Sequence, residues 1–153
     1  MSSTAVIEKP TLCFFVQYYK NEVNLTAIMN QIKKDFTEHS DEDLKDLDIY
    51  VKAEDNMAYY VANHHYESKV NLWNISDTYS DLHEEELDFH KTIIFQFRCK
   101  EINANEIIQN IIHTIHSSAQ QVQIQDLEIY AKIEDETAYY LVNHRISKKL
   151  PLC

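Results

Sequence analysis

A stretch of twenty residues occurs twice in this chain, and that repetition limits the fold more than any other property. Asp46 to His65 (DLDIYVKAEDNMAYYVANHH) returns 80 residues later as Asp126 to Arg145 (DLEIYAKIEDETAYYLVNHR), with twelve of the twenty pairs identical. Upstream, Val16 to Asn24 matches Phe95 to Asn103 at an offset of 79. The one-residue drift falls in a helix-to-strand connection, where length changes are tolerated. Two copies are too few for a solenoid. They predict a duplicated unit that packs as a pseudo-dimer, and 153 residues suit one domain of ordinary size.

Each copy reads β-α-β-β. The first strands, Leu12 to Tyr19 and Thr92 to Arg98, are rich in aromatic and β-branched residues. Asn24 and Asn103 stand where an N-cap belongs, and Val23 with Ile28, and Ile102 with Ile107, hold the positions of a hydrophobic staple. Leu25, Ile28, Met29, Ile32 and Phe36 form one apolar helical stripe, and Ile107, Ile108, Ile111, Ile112 and Ile115 form the other. A hairpin follows, turning at Asp55-Asn56 and at Asp135-Glu136. Asn56 suits a left-handed turn position; Glu136 suits it less, which predicts a type I turn or a longer loop there. The expectation is an α+β fold: two tandem β-α-β-β repeats forming a pseudo-twofold single domain, with antiparallel hairpins and two amphipathic helices. A tail spans 1–11, the first repeat 12–73, an acidic connector 74–91 and the second repeat 92–153.

The chain contains no glycine and only two prolines. Glycine-rich phosphate loops need glycines so that backbone N–H groups can approach the phosphates, so both nucleotide-binding types are excluded. The standard nucleophile elbow and the EF-hand loop fail for the same reason. No cofactor motif remains. The net charge of −11 opposes phosphate backbones and anionic bilayers, which makes nucleic acid an unfavourable partner. No apolar run approaches the ~18 residues of a membrane helix, and the first residues lack the basic and apolar regions of a secretory signal. Three widely spaced cysteines, Cys13, Cys99 and Cys153, form no disulfide or metal pattern. Together these predict a cytoplasmic protein without membrane contact.

The hairpins alternate, and the alternation defines two faces. If Ala53 pairs with Ala58, then Ile49, Val51, Ala53, Ala58, Tyr60 and Ala62 share a small, aliphatic face suited to packing on the helices, as do their counterparts in the second copy. The opposite face carries Tyr50, Lys52, Tyr59 and Val61, repeated as Tyr130, Lys132, Tyr139 and Leu141. Arg98, Gln17, Tyr19 and Gln96 are expected to extend it. As a binding platform, its rings would stack on a partner while the cations meet polar groups. The competing and favoured reading buries this face against the other repeat or a second chain.

Among groups able to bind metal, His64 and His65 follow the third strand of the first copy and His144 that of the second. A site shared across the pseudo-twofold is conceivable, but the spacing matches no standard zinc pattern, and histidines exposed at a strand end are the plainer account. His113 and His116 read as solvated helix residues. The run Glu84-Glu85-Glu86 reads as a solvated linker. Cys99 sits between Arg98 and Lys100, which could lower its pKa, but it has no identifiable base. Glu54-Asp55 and Glu134-Asp135 sit at hairpin tips.

The segments Val16-Gln17-Tyr18-Tyr19 with Glu22-Val23, then Asp46 to Asp55, then Ala58-Tyr59-Tyr60-Val61-Ala62-Asn63, resemble an uncharacterised domain-of-unknown-function family. Its members are small proteins common in anaerobic Firmicutes, with the pattern QYxGxEV, IYVKPEE and AYYVVNG. The resemblance covers both copies and implies no activity, cofactor or site residue. Where that pattern has glycine, this chain has Lys20, Cys99, His64 and His144; where it has proline, it has Ala53 and Ile133. At those four positions the turns have therefore changed conformation or never needed positive φ. The leading functional expectation is a non-catalytic binding or assembly module, taking a protein partner or a second copy on a sheet face or exposed strand edge. A small enzyme or metal-binding protein with a site near His64 and His144 is the alternative, and a sheet-surface nucleic-acid binder comes third.

Overall fold

A computed structural model describes residues 11–73, 90–98, 100–118 and 122–152. Most of the acidic connector, including Glu84-Glu85-Glu86, lies outside the described residues, as do Cys99 and Cys153. The first repeat comprises β1 (Thr11–Tyr18), β2 (Asn21–Asn24), α1 (Leu25–His39), β3 (Asp46–Lys52), β4 (Met57–Ala62) and β5 (Tyr66–Asn71). The second comprises β6 (His90–Phe97), β7 (Lys100–Asn103), α2 (Ala104–His116), β8 (Asp126–Lys132), β9 (Thr137–Val142) and β10 (Ile146–Pro151).

The fold is α+β with two tandem repeats, and each repeat carries two strands more than β-α-β-β. One is the four-residue return of a tight hairpin, too short to give a pattern. The other, β5 or β10, is an edge strand with little inward apolar content; in β5 only Val70 is buried.

The strands form two five-stranded sheets, ordered β10-β9-β8-β1-β2 and β5-β4-β3-β6-β7. Each sheet draws on both repeats. β1 runs parallel to β8, with Phe14 opposite Ile129 and Val16 opposite Ala131. β6 runs parallel to β3, with Ile93 opposite Ile49 and Phe95 opposite Val51. The leading hairpin of each repeat is thus exchanged into the sheet of the other. Parallel pairing demands a long connection; residues 53–89 separate β3 from β6, and residues 19–125 separate β1 from β8.

Alternation within the strands feeds one core. Val16, Ile28, Ile32, Phe36, Leu47, Ile49, Ile111 and Ile129 are fully buried. Phe14 and Phe95 stack at 5.7 Å between ring centroids and so join the two exchanged strands directly. The small, aliphatic hairpin face is buried as expected. Its register differs by two residues: Val51, not Ala53, lies opposite Ala58, and Ala53 opens a 3-10 turn, Ala53–Asp55. An even shift leaves every side chain on its face. Asn24 and Asn103 cap the helices, each accepting through Oδ1 from the amide two residues on, at 2.8 Å.

Without glycine, eight of the described residues take left-handed backbone: Tyr19, Asn56, Asn63, His64, Arg98, Glu136, Asn143 and His144. His64 and His144 keep the left-handed backbone that glycine favours. Lys20 does not, because the left-handed residue is Tyr19, one position earlier, and Arg98 is its equivalent in the second copy. Glu136 (φ 49°) also departs from the expected type I turn and follows Asn56 (φ 59°). The backbone makes this conformation useful. The Glu136 amide donates to Ile133 and its carbonyl accepts from Leu152, as Asn56 does with Ala53 and Leu72.

The exchanged turns are fastened by the other repeat. The Arg98 amide donates to Glu54 Oε1 at 3.0 Å, and the Tyr19 amide donates to the Glu134 carboxylate. These matched glutamates therefore hold the tip of the visiting hairpin. Asn63 and Asn143 do comparable work at the opposite end. Asn63 Oδ1 accepts from Lys45 and Asp46, and Asn143 Oδ1 accepts from Gln125 and Asp126.

Two outcomes follow for stability. Phe95→Ala should cost about 3–5 kcal/mol in denaturant unfolding, with both sheets lost in one transition; separate transitions would mean that the exchanged strands do not couple the sheets. Tyr19→Gly should raise stability by about 0.5–1 kcal/mol and Tyr19→Val should lower it, because a β-branched residue is strained at positive φ. Equal losses from both would show that backbone strain does not govern this turn.

Candidate functional site

Outward side chains of each sheet align across the strands into rows. On one sheet Lys149, Tyr139, Tyr130 and Phe15 lie opposite one another in turn. On the other the row is Lys69, Tyr59, Tyr50 and Ile94. Tyr50, Tyr59, Tyr130 and Tyr139 are all half-buried, so among the described residues the other repeat does not close this face off. Helices and exchanged strands cover the aliphatic faces instead, so the tyrosines stay outside. Phe15 and Tyr130 stack at 5.0 Å with rings 9° from parallel.

Next to each tyrosine row runs a polar one. Lys52 Nζ pairs with Asp55 at 3.4 Å, and Lys132 Nζ with Asp135 at 3.3 Å. Gln17 donates to Glu22 at 2.7 Å and Gln96 to Glu101 at 3.2 Å. Both lysines are thus partly engaged by their own hairpin tips, and the pairing with Asp135 holds the Lys132 ammonium above its usual range. Arg98 is not on the tyrosine face. It occupies the β6–β7 turn, exposed, with its guanidinium 4.9 Å from the Phe97 ring centroid. Tyr19 likewise sits in a turn, 66% exposed. A strand phase read to its last residue misplaces both, because the turn starts one residue sooner.

The sequence brings together a polar group at the start of β3 and β8 that was not foreseen as a unit. Asp46 and Asp48 alternate onto the outer face of β3, and His64 folds back over them from the turn after β4. Asp126, Glu128 and His144 repeat the arrangement. His64 Nε2 lies 3.3 Å from Asp46 Oδ2, and His144 Nε2 lies 3.2 Å from Asp126 Oδ2. His144 Nδ1 lies 3.3 Å from Glu128 Oε1. Among the described residues, each cluster of three holds one histidine, so the shared two-histidine site is replaced by two separate groups. His65 is in neither; its Nε2 meets Glu42 at 3.0 Å. The matched carboxylates were visible in the repeat, but strand register was needed to connect them to the histidines. His113 and His116 are exposed on α2.

The repeats differ beneath their helices. In the first, the buried Tyr60 hydroxyl donates to Asp35, which also accepts from Ser68. Burial first, and then the hydrogen bond to Asp35, push the Tyr60 phenol far up. In the second, Thr114 and Lys148 replace Asp35 and Ser68, and a cavity of about 430 Å³ opens beside Tyr140. Burial raises the Tyr140 phenol, and burial with the hydrogen bond to Glu128 raises that of Tyr130.

A folded-state tyrosine pKa above the unfolded one contributes stability that is whole below the unfolded value, ~10, and is lost as pH rises past it. Denaturant unfolding between pH 8 and pH 11 should therefore show falling stability above about pH 10. Tyr60→Phe should be less stable at neutral pH by about 1 kcal/mol and should show a shallower alkaline loss. An unchanged slope would mean that Tyr60 ionises alike in both states.

No curated protein and no solved structure matches the chain. The family described as "Family of unknown function (DUF6465)" matches residues 2–72 and again residues 79–152. The chain belongs to that family of unknown function and carries two copies of it in tandem.

Proposed function

We propose that the protein is a non-catalytic binding module that docks a protein partner on its tyrosine–lysine sheet faces. The observation that carries this reading is the pair of rows Lys149-Tyr139-Tyr130-Phe15 and Lys69-Tyr59-Tyr50-Ile94, half-exposed on both sheets. Tyrosine offers large contact area, little rotamer entropy to lose and a hydroxyl for the rim. Such residues dominate the energetics of protein interfaces.

The strand edges support this choice through their chemistry. β2 and β7 are four residues long and carry charged or polar side chains. β10 carries Lys148, Lys149 and Pro151, and β5 carries Glu67 and Lys69. Short, charged or proline-bearing edges resist strand addition, so the faces are the better docking surface. A net charge of −11 opposes close approach of a second copy, which favours a different, less acidic protein over self-assembly. The same charge disfavours a nucleic-acid role for the face.

A photo-crosslinking residue placed at Tyr59 or Tyr139 in the native host should give a discrete protein adduct, and one placed at Gln109, exposed on α2, should not. Tyr59→Ala with Tyr139→Ala should weaken capture of that partner at least tenfold while the chain stays folded by circular dichroism. Adducts absent at both tyrosine positions, or equal at Gln109, would overturn the reading. Light scattering across a concentration series distinguishes a second copy as the occupant.

A further inference from the structure

We propose that each His–carboxylate cluster is a binding site for a first-row divalent transition-metal ion, of which Zn²⁺ is the probe. The ligands are Asp46, Asp48 and His64 in one sheet and Asp126, Glu128 and His144 in the other. This goes beyond the docking faces and does not depend on them.

The first support is geometric. In a tetrahedral zinc site, ligand atoms ~2.0–2.1 Å from the metal lie about 3.4 Å apart. The imidazole Nε2 and aspartate Oδ2 are 3.3 Å apart in the first cluster and 3.2 Å in the second. In each cluster one atom from all three residues falls within 4.8 Å of the others. The histidines are 76% and 68% exposed at the side chain, so the ring has freedom to close onto an ion while the carboxylates stay fixed on a strand. One imidazole and two carboxylates suit ions that accept mixed nitrogen and oxygen ligands, Zn²⁺ among them. The exposed side leaves room for water as the remaining ligand.

The second support is electrostatic. Asp126 Oδ2 is buried and accepts no hydrogen bond from a described residue. A desolvated carboxylate oxygen is costly without a compensating cation. The oxygen lies 3.2 Å from His144 Nε2, the atom that would share an ion with it.

The third support is the duplication. The two twenty-residue copies differ at eight positions, yet the three donor positions differ only by the methylene that separates Asp48 from Glu128. The turn is preserved with them: Asn63 with His64, and Asn143 with His144, are left-handed in both copies. The clusters lie in different sheets, so neither copy imposes its arrangement on the other by contact. In the first repeat an open cleft of about 560 Å³, lined by Asp41, Glu42 and Asp43 among others, gives a cation an acidic approach.

The test is calorimetric titration of the full chain with Zn²⁺. Two ions per chain are expected, with a Tm raised by excess metal. His64→Asn and His144→Asn suit the test because asparagine tolerates the left-handed backbone, so the imidazole is removed without disturbing the turn. Each should lower the stoichiometry from two to one, and the double variant should bind none while its circular dichroism is unchanged. Asp126→Asn should weaken the second site at least tenfold. Zinc binding that survives unchanged in the double variant would overturn the proposal, as would a wild-type chain that takes up no metal.

Discussion

The parallel pairing of β1 with β8 and of β3 with β6 is the constraint on which the rest of the structure depends. Neither sheet is complete within one repeat. The exchanged hairpins bring Phe14 against Phe95, and the hairpin tips of each repeat reach across to hold the visiting turn through Glu54 and Glu134. Small sheets need burial on one face to be stable, and the exchange supplies it by making one core from two units. The free energy of that core is shared, so a cavity at Phe95 is felt in both sheets.

This arrangement also explains why the tyrosine faces stay open. The aliphatic face of every hairpin is spent on helices and on the exchanged strands. Among the described residues, the tyrosines of the other face stay half-exposed. Its cross-strand rows are fixed by register, and strand alternation alone puts Tyr50 beside Tyr59 and Tyr130 beside Tyr139. The same alternation puts Asp46 and Asp48 on the outer face two and four residues earlier, within reach of the turn that ends β4.

Much of this was legible in the residues. Helix caps at Asn24 and Asn103, the apolar stripes and the hairpin faces follow from period and local chemistry, and these are short-range. The duplication was legible because sequence identity does not depend on contacts. What the residues did not reveal is long-range. Parallel pairing between repeats leaves no local signature, and neither does a four-residue strand such as β2. The glycine positions of the resembling pattern pointed to His64 but fell one residue late, at Lys20, where the left-handed residue is Tyr19. The histidine–carboxylate clusters were half-visible: the residues were singled out or matched, but only the pairing of β3 with β4 brings them together.

The exchange has a further meaning for a chain made from one end to the other. β1 is complete at Tyr18, but its parallel partner, β8, begins at Asp126. At ordinary synthesis rates of ~5–20 residues per second, the leading hairpin waits roughly 5–20 seconds for its place. During that interval β3 emerges first, and it presents to β1 nearly the same surface that β8 will offer. The twofold likeness that builds the finished molecule is therefore also its nearest decoy during biogenesis. The two arrangements compete until the second half arrives and both leading strands cross over.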